Sequence, residues 1–200
     1  MRKRLLLLPC ILLFSALALV ACGSSGGEEG EIEEVVETSA TSTDPADCKK
    51  LNTQQFIEQT TQGSGDAAVK QCEADAKEEK GAESVSVSAV EVDGSDATAE
   101  VAMSGGNLDG QALEVALIKD GDGWKLNEVV KFTEFDRAKL VDVLEAGLSE
   151  PSAEVDPKFA SCMVEGFRQG SQAEVEELLF GDSPQALEEL FEACASRPSA

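Results

Sequence analysis

The spacing of apolar and polar positions changes along the chain, and the clearest pattern begins at Ser84. From there, apolar residues occupy every second position, which is typical of a strand with one buried face. In the first run these positions are Val85, Val87, Val92 and either Ala89 or Val90. Three more runs follow, ending near Phe132, and turns rich in glycine and aspartate separate them. The pattern predicts a four-stranded antiparallel meander.

Residues 48–80, which precede the predicted sheet, have a helical period instead. Two apolar faces are separated by a glycine-rich break at residues 63–65. The first face consists of Leu51, Phe56 and Ile57, and the second of Ala67, Ala68, Val69, Cys72 and Ala76. We therefore predict two helices, with Asp47 and Asp66 as their caps.

The pattern of apolar residues over residues 133–200 also predicts helices. Apolar residues recur at helical spacing in four groups, around Leu140, Met163, Leu178 and Leu190. We predict a small helical subdomain here. A unit of this size has too little core to be stable without a covalent link.

Residues 1–21 have the three parts of a secretory signal. Arg2, Lys3 and Arg4 precede an almost wholly apolar stretch over residues 5–20, and small residues follow. A transmembrane anchor is the alternative, but the stretch is shorter than the roughly 20 residues that a spanning helix needs. We therefore expect this segment to direct export.

The end of this segment, Leu19-Val20-Ala21-Cys22, resembles the lipobox of bacterial lipoproteins at all four positions. The resemblance implies that a diacylglyceryl group is attached to the Cys22 sulfur and that signal peptidase II cleaves between Ala21 and Cys22. Two acyl chains suffice for stable anchoring. The expected location is the extracytoplasmic face of the bacterial cell membrane. Ordinary secretion after cleavage at an alanine is the alternative.

The segment after the signal, residues 22–47, is dominated by Gly, Ser, Thr and Glu. Its larger apolar residues are Ile32, Val35 and Val36. Such a composition buries too little apolar surface to offset the entropy of ordering the chain. We therefore predict a flexible acidic tether that lifts the folded part away from the lipid headgroups.

The formal net charge of the chain is −23, and the signal carries three cations and no acid, so the mature chain reaches −26. This charge opposes binding to nucleic acid and to anionic headgroups. The predicted contact with the membrane is therefore the Cys22 lipid alone. A solvated acidic surface is one interpretation of the charge, and attraction of cations or basic ligands is the other.

Four cysteines remain in the predicted folded part, namely Cys48, Cys72, Cys162 and Cys194. An even number in an exported protein indicates disulfides, and four cysteines allow three pairings. We predict Cys48–Cys72 and Cys162–Cys194, because each pair lies within one helical segment. The chain has no histidine and no CxxC pair, so no metal site, cofactor or catalytic thiol is predicted.

Two helices followed by this meander resemble the nuclear transport factor 2-like superfamily. The most specific segment runs from Val85 to Leu126, where a valine-rich strand and an Ala-x-Ala strand precede Gly-Asp-Gly-Trp-Lys-Leu. The resemblance implies a curved sheet wrapped around helices. Trp124 is a lone Trp at the start of the fourth predicted strand, where it either lines a ligand pocket or lies in the core. It covers residues 48–132. Enzymes of this superfamily use Asp, His or Tyr within the cone, and the chain has neither His nor Tyr.

The expected fold is α+β, with two N-terminal helices packed on a curved four-stranded antiparallel sheet, followed by a disulfide-stapled helical subdomain. The expected regions are the signal (1–21), the lipidated tether (22–47), the α+β domain (48–132) and the helical subdomain (133–200). The expected function is a non-enzymatic module that binds a small molecule or an envelope protein. An enzyme with an Asp base in the cone and a homodimerising structural module are the alternatives.

Overall fold

The computed structural model describes residues 25–78, 81–121, 123–149, 155–181 and 184–196, and the predicted signal and Cys22 lie outside them. The fold is α+β, as expected. The helices are α1 (Ser25–Thr41), α2 (Asp47–Leu51), α3 (Gln54–Thr61), α4 (Gly65–Lys77), α5 (Arg137–Ser149), α6 (Pro157–Gln169), α7 (Gln172–Phe180) and α8 (Gln185–Ala195). The strands are β1 (Ser84–Asp93), β2 (Asp96–Ser104), β3 (Ala112–Asp120) and β4 (Gly123–Glu134).

The four strands form one antiparallel sheet in the order β1-β2-β3-β4, so the predicted meander is confirmed. Apolar residues of β2, β3 and β4 are buried on one face of the sheet, and helices cover that face. The buried positions alternate along β2 and β3, whereas register shifts interrupt the alternation along β4. The buried set includes Ala97, Ala99, Val101, Leu113, Val115, Leu117, Trp124, Leu126, Val129 and Phe132. Burial of this apolar face is the main source of stability for the sheet.

A β-bulge in β1 decides which of two residues continues the inward face. The pairing with β2 shifts between Ser88 and Glu91, and Ala89 has a φ of 49°. An extra residue in a strand reverses the alternation. Val90 therefore packs against the core, whereas Ala89 is exposed.

The prediction of a flexible tether is wrong for residues 25–41, which form α1. Ile32 is 0% exposed and Val36 is 2% exposed, and both belong to the same buried cluster as the sheet. Ile32, Val35 and Val36 are spaced i, i+3 and i+4, so they lie on one side of a helix. Packing of this short stripe on the sheet orders a segment whose composition suggested disorder.

The first predicted helix of residues 48–80 is divided into α2 and α3. Asn52 has extended backbone angles and forms a parallel bridge with Leu126 of β4. Thr53 then caps α3 by accepting a hydrogen bond from the Phe56 N–H at 3.2 Å. Within residues 25–78, four helices therefore precede the sheet, where two were predicted.

The two predicted caps are also corrected, because each aspartate lies inside the helix that it was expected to precede. Asp47 is the first residue of α2, and Asp66 follows Gly65 in the first turn of α4. An acidic residue in the first turn still favours the positive end of the helix dipole.

Both predicted disulfides are present. Cys48–Cys72 joins α2 to α4 with a Cα–Cα distance of 6.2 Å, and Cys162–Cys194 joins α6 to α8 with 5.6 Å. Each bond therefore links two helices of one segment, as the pairing argument required.

The C-terminal helices share a core with the sheet. Leu140 of α5, Phe167 of α6 and Val175 of α7 belong to the main buried cluster, and a smaller cluster surrounds the Cys162–Cys194 bond. The boundary predicted at residue 132 therefore does not separate two cores. Among the described residues, no helix combines the length and hydrophobicity needed to cross a bilayer.

Candidate ligand-binding cavity

An apolar cavity of about 520 Å³ lies between the inner face of the sheet and the helices. Small-molecule sites have volumes of roughly 300–1,000 Å³, so this cavity has room for a ligand. Its floor consists of Val101, Leu113, Val115, Leu126 and Val129. These residues occupy inward positions of β2, β3 and β4, so the strand alternation itself provides an aliphatic surface.

One side of the cavity is a single face of α5. The lining residues of this helix are Leu140, Val143, Leu144, Gly147 and Leu148, at the spacing that places them on one helical stripe. Leu140 is buried at the inner end, whereas Gly147 is exposed. A Cβ added to Gly147 would meet no atom within 4 Å. Gly147 therefore marks an open part of the wall, which we call the mouth.

A buried amide fixes the start of α5 against the sheet. Gln111 is 1% exposed, and its Nε2 donates to the Asp136 carbonyl while its Oε1 accepts from the Asp136 N–H, both at 2.9 Å. Asp136 directly precedes α5, and its carboxylate accepts from the Lys139 N–H. Gln111 thus positions the helix whose stripe forms the cavity wall.

Two further glutamines hold α3 and the end of α7 beside β4. Gln59 accepts from the Val129 N–H and donates to the Phe180 carbonyl, both at 2.7 Å. Gln62 donates to the Leu179 carbonyl at 2.7 Å. Because Leu179 and Phe180 line the cavity, these bonds set the position of a second wall.

The chemistry of the lining is aliphatic with a polar margin. The polar residues among the lining positions are Ser39, Thr60, Gln62 and Asn107, and none of the lining residues is Asp, Glu, Lys or Arg. An apolar body therefore suits the interior, because it removes apolar surface from water. The Asp base that the enzyme alternative requires is not among these lining residues.

A second, smaller pocket of about 210 Å³ adjoins the cavity. The two share Ser39, Ala40, Phe56, Thr60 and Asn107 as lining residues. The smaller pocket also contains Asp44, Asp47 and Asp75, and no Lys or Arg lines it. We call it the acidic vestibule.

Trp124 is not among the residues that line this cavity, and of its two expected positions it has the one in the core. Its side chain is 2% exposed and belongs to the main buried cluster. The Lys119 Nζ lies 5.5 Å from the ring centroid, and the indole Nε1 has no hydrogen-bond partner among the described residues. The core alternative for this residue is the one that the structure supports.

The other predicted site residues have separate positions. Ala21 and Cys22 lie outside the described residues, and the four remaining cysteines form structural bonds away from the cavity floor. Within the described ranges, no group of three or more His, Cys, Asp or Glu residues is arranged to hold a metal. Sequence reasoning did not find the cavity-lining residues, although the i, i+3, i+4, i+7 stripe of α5 indicated one apolar wall.

Comparisons with protein-family models, with curated proteins and with solved structures find no match for this chain. Its function is therefore inferred from the sequence and from the geometry of the cavity.

Proposed function

We propose that this protein is a lipid-anchored binding module of the bacterial cell envelope, and that its cavity holds a small apolar molecule. The cavity of about 520 Å³ is the observation that carries the proposal. A concave, mostly apolar space of this size, bounded by a sheet and helices, is typical of small-molecule sites. A binding role accounts for an apolar surface that the fold leaves open to a ligand.

The environment of the cavity supports binding of an intact ligand. Its walls come from α1, α3, α5, α7 and the sheet, so they are held by regular elements. The three glutamines described above fix two of those walls through backbone hydrogen bonds. A largely preformed site loses less affinity to ordering of the protein on binding.

The anchor is proposed on the sequence alone. The lipobox-like Leu19-Val20-Ala21-Cys22 follows a short export signal, and two disulfides fit an oxidising compartment outside the cytoplasm. The acidic chain has little electrostatic reason to stay at an anionic membrane. Anchoring would therefore depend on the Cys22 lipid.

A substitution at the mouth tests the binding proposal. Gly147→Phe should lower the affinity for the apolar fluorophore N-phenyl-1-naphthylamine at least tenfold, because the ring would occupy the mouth while the backbone there has room for a side chain. Ala146→Phe is the matched control, since Ala146 is an exposed neighbour in α5 and does not line the cavity.

The fluorophore titration is interpreted together with circular dichroism, which reports whether both variants fold. Strong binding by the wild type and by Ala146→Phe, with loss in Gly147→Phe, supports the proposal. Equal binding by all three proteins, or no binding by the folded wild type, would contradict it.

A second substitution tests the anchor. Cys22→Ser should move the protein from the membrane fraction to the soluble fraction of the producing bacterium, because the acylated sulfur is removed. Fractionation followed by immunoblotting measures the shift, and Cys10→Ser within the signal is the control. Continued retention of Cys22→Ser in the membrane fraction would overturn the lipoprotein assignment.

A further inference from the structure

We infer that the ligand is an uncharged amphiphile, with an aliphatic body in the cavity and a polar end that donates a hydrogen bond, as a hydroxyl group does. This inference rests on the proposed function and specifies the class of molecule that the same cavity takes. It follows from the hydrogen bonds that the polar residues of the cavity lining already make.

The protein itself uses the protons of two polar side chains at the end of α3. The Thr60 hydroxyl donates to the Phe56 carbonyl at 2.8 Å. The Gln62 Nε2 donates to the Gln59 carbonyl at 2.8 Å and to the Leu179 carbonyl at 2.7 Å. A carbonyl oxygen can only accept, so the direction of these three bonds is fixed. Both protons of the Gln62 amide and the single proton of the Thr60 hydroxyl are therefore engaged.

The same two side chains keep oxygen atoms that can accept a further hydrogen bond. Neither the Gln62 Oε1 nor the Thr60 hydroxyl oxygen accepts from any donor among the described residues. Within the described ranges, the Trp124 Nε1 is the one buried side-chain polar atom without a partner, so the Gln62 Oε1 is accessible to solvent or to a ligand. Because both residues line the cavity, their side chains offer a ligand acceptors and no donors.

A third polar residue of the lining has the same property. The Ser39 hydroxyl, in the last turn of α1, donates to the Asn52 Oδ1 at 2.7 Å and accepts from no described residue. Asn107 differs, because its amide keeps both N–H groups and an oxygen. Three of the four polar lining residues therefore present acceptors alone.

A donor on the ligand is the group that these acceptors lack. An O–H or N–H group can pair with any of the three, whereas a group that only accepts finds a side-chain donor at Asn107 alone. A site arranged to pair with a donor discriminates against an analogue that lacks it, because its own polar groups are then left unpaired. A hydroxyl is the simplest group that meets this requirement.

The lining also favours a ligand without charge. None of the lining residues is Asp, Glu, Lys or Arg, and the aspartates of the acidic vestibule line the smaller pocket and not the cavity. An ion that enters the cavity loses hydration, and no opposite charge among the lining residues replaces it. A fatty acid anion or an alkylammonium ion is therefore disfavoured relative to the alcohol of the same chain length.

Two isomeric ligands test the hydrogen-bond donor. Decanol and methyl nonyl ether contain the same atoms, but only the alcohol has an O–H group. Both are titrated into the intact disulfide-bonded protein at physiological salt, with displacement of N-phenyl-1-naphthylamine as the signal. Decanol should bind about fivefold more tightly than the ether, which corresponds to one net hydrogen bond. Decanoate and decylammonium, titrated in the same way, should bind more weakly than decanol.

A variant without the two acceptors of α3 locates the polar end of the ligand. Thr60→Val/Gln62→Met should lower the preference for decanol over the ether to less than twofold and leave the affinity for the ether unchanged. Thr61→Val is the matched control, because the Thr61 hydroxyl donates in the same way to the Ile57 carbonyl at 2.7 Å and does not line the cavity. This control should keep the fivefold preference.

The ether reports separately on the shape of the cavity, because Gln62 also holds the end of α7. If the double variant binds the ether weakly, Thr60→Val alone decides, since it leaves the bond from Gln62 to Leu179 in place. Its preference for decanol should fall at least twofold. An unchanged preference in the variant that retains ether binding would overturn the position of the polar end.

The outcomes separate the inference from the proposed function. If decanol and the ether bind the wild type equally well, the hydrogen-bond donor is wrong and the apolar cavity stands. Tighter binding of decanoate or decylammonium than of decanol overturns the uncharged class. If none of the four compounds displaces the fluorophore, the proposed function and the inference fall together.

Discussion

Ile32 has no exposed surface, although it lies in a segment dominated by glutamate. Replacing it with alanine should destabilise the protein by about 2–4 kcal/mol, because the change removes buried methyl groups and leaves a cavity. Chemical denaturation measures the free energy of unfolding. Glu33→Ala is the neighbouring control, and its exposed side chain should tolerate the change.

A flexible tether would give a different result at this residue. If Ile32→Ala and Glu33→Ala left the free energy of unfolding equally unchanged, α1 would not be part of the core. The spacing of Ile32, Val35 and Val36 is helical, but the composition of the segment predicts disorder. An apolar stripe of so few residues cannot stabilise an isolated helix, and the contacts that stabilise α1 come from the sheet.

Glu174 is another residue with a measurable effect, since it closes the capping box of α7. Its carboxylate accepts from the Ser171 N–H at 2.6 Å, and the Ser171 hydroxyl accepts from the Glu174 N–H at 3.2 Å. The backbone hydrogen bond from Ser171, followed by the side-chain bond, lowers the pKa of Glu174 below its ordinary value. The ionised form is therefore the one that the folded protein favours.

Because its pKa is lowered, the contribution of Glu174 to the free energy of unfolding depends on pH. It is complete above the ordinary carboxyl pKa of the unfolded chain, and it is lost as the pH falls through the lowered pKa of the folded state. Glu174→Gln should thus be less stable than the wild type at neutral pH, with the difference shrinking in acid. Urea unfolding across the acidic range measures this, and a difference that is constant with pH would contradict it.

At the scale of elements, the disulfides hold helices that the sheet contacts only in part. Replacing Cys162 and Cys194 together with serine should cost about 3.7 kcal/mol in the chain-entropy account, given their sequence separation of 32 residues. Denaturation under non-reducing conditions measures the loss. Hydrogen exchange should increase most in α6 and α8, because the bond joins these two helices.

The Cys48–Cys72 pair is the matched comparison, with a separation of 24 residues and a similar expected cost. Its removal should instead loosen α2 and α4. Equal exchange profiles for the two double variants would contradict this division. Both pairings followed from the sequence, since each bond closes within a local helical segment.

The sequence predicted the strands more accurately than the helices, and the reason is physical. The strands are 9 to 12 residues long, they alternate between apolar and polar positions except at their bulges, and turns rich in glycine and aspartate separate them. The break between α2 and α3 leaves no comparable trace, because Asn52 is extended only where it pairs with Leu126. A contact between residues so far apart in the chain is absent from any local pattern.

At the scale of the whole molecule, the cavity results from elements that meet only in three dimensions. The floor could be anticipated as the inward side of the strands, and the α5 stripe as one wall. The space between them depends on where the glutamines fix α3, α5 and α7 relative to the sheet. Polar residues of this kind give no signal of a cavity in the sequence.

The two edges of the sheet differ in how they are covered. Side chains of α3 and α7 satisfy backbone groups of β4: Gln59 bonds to Val129, while Gln172 and Glu176 bond to the Phe132 carbonyl and N–H. The pairing of β1, at the other edge, has one register shift, and the pairing of β4 has three; bulges of this kind disfavour edge-to-edge pairing. Formation of a homodimer stays a prediction, and sedimentation of the disulfide-bonded protein measures it.

The position of α1 has a consequence for proteolytic release under the proposed Cys22 anchor. A loose tether could be cut anywhere, and the released domain would keep its shape. Here, a protease that cleaves α1 between Glu28 and Thr41 would remove or sever a helix that supplies Ile32, Val36, Ser39 and Ala40 to the core and the cavity. Under the proposed anchor, release of an intact domain therefore requires a cut on the N-terminal side of Glu28.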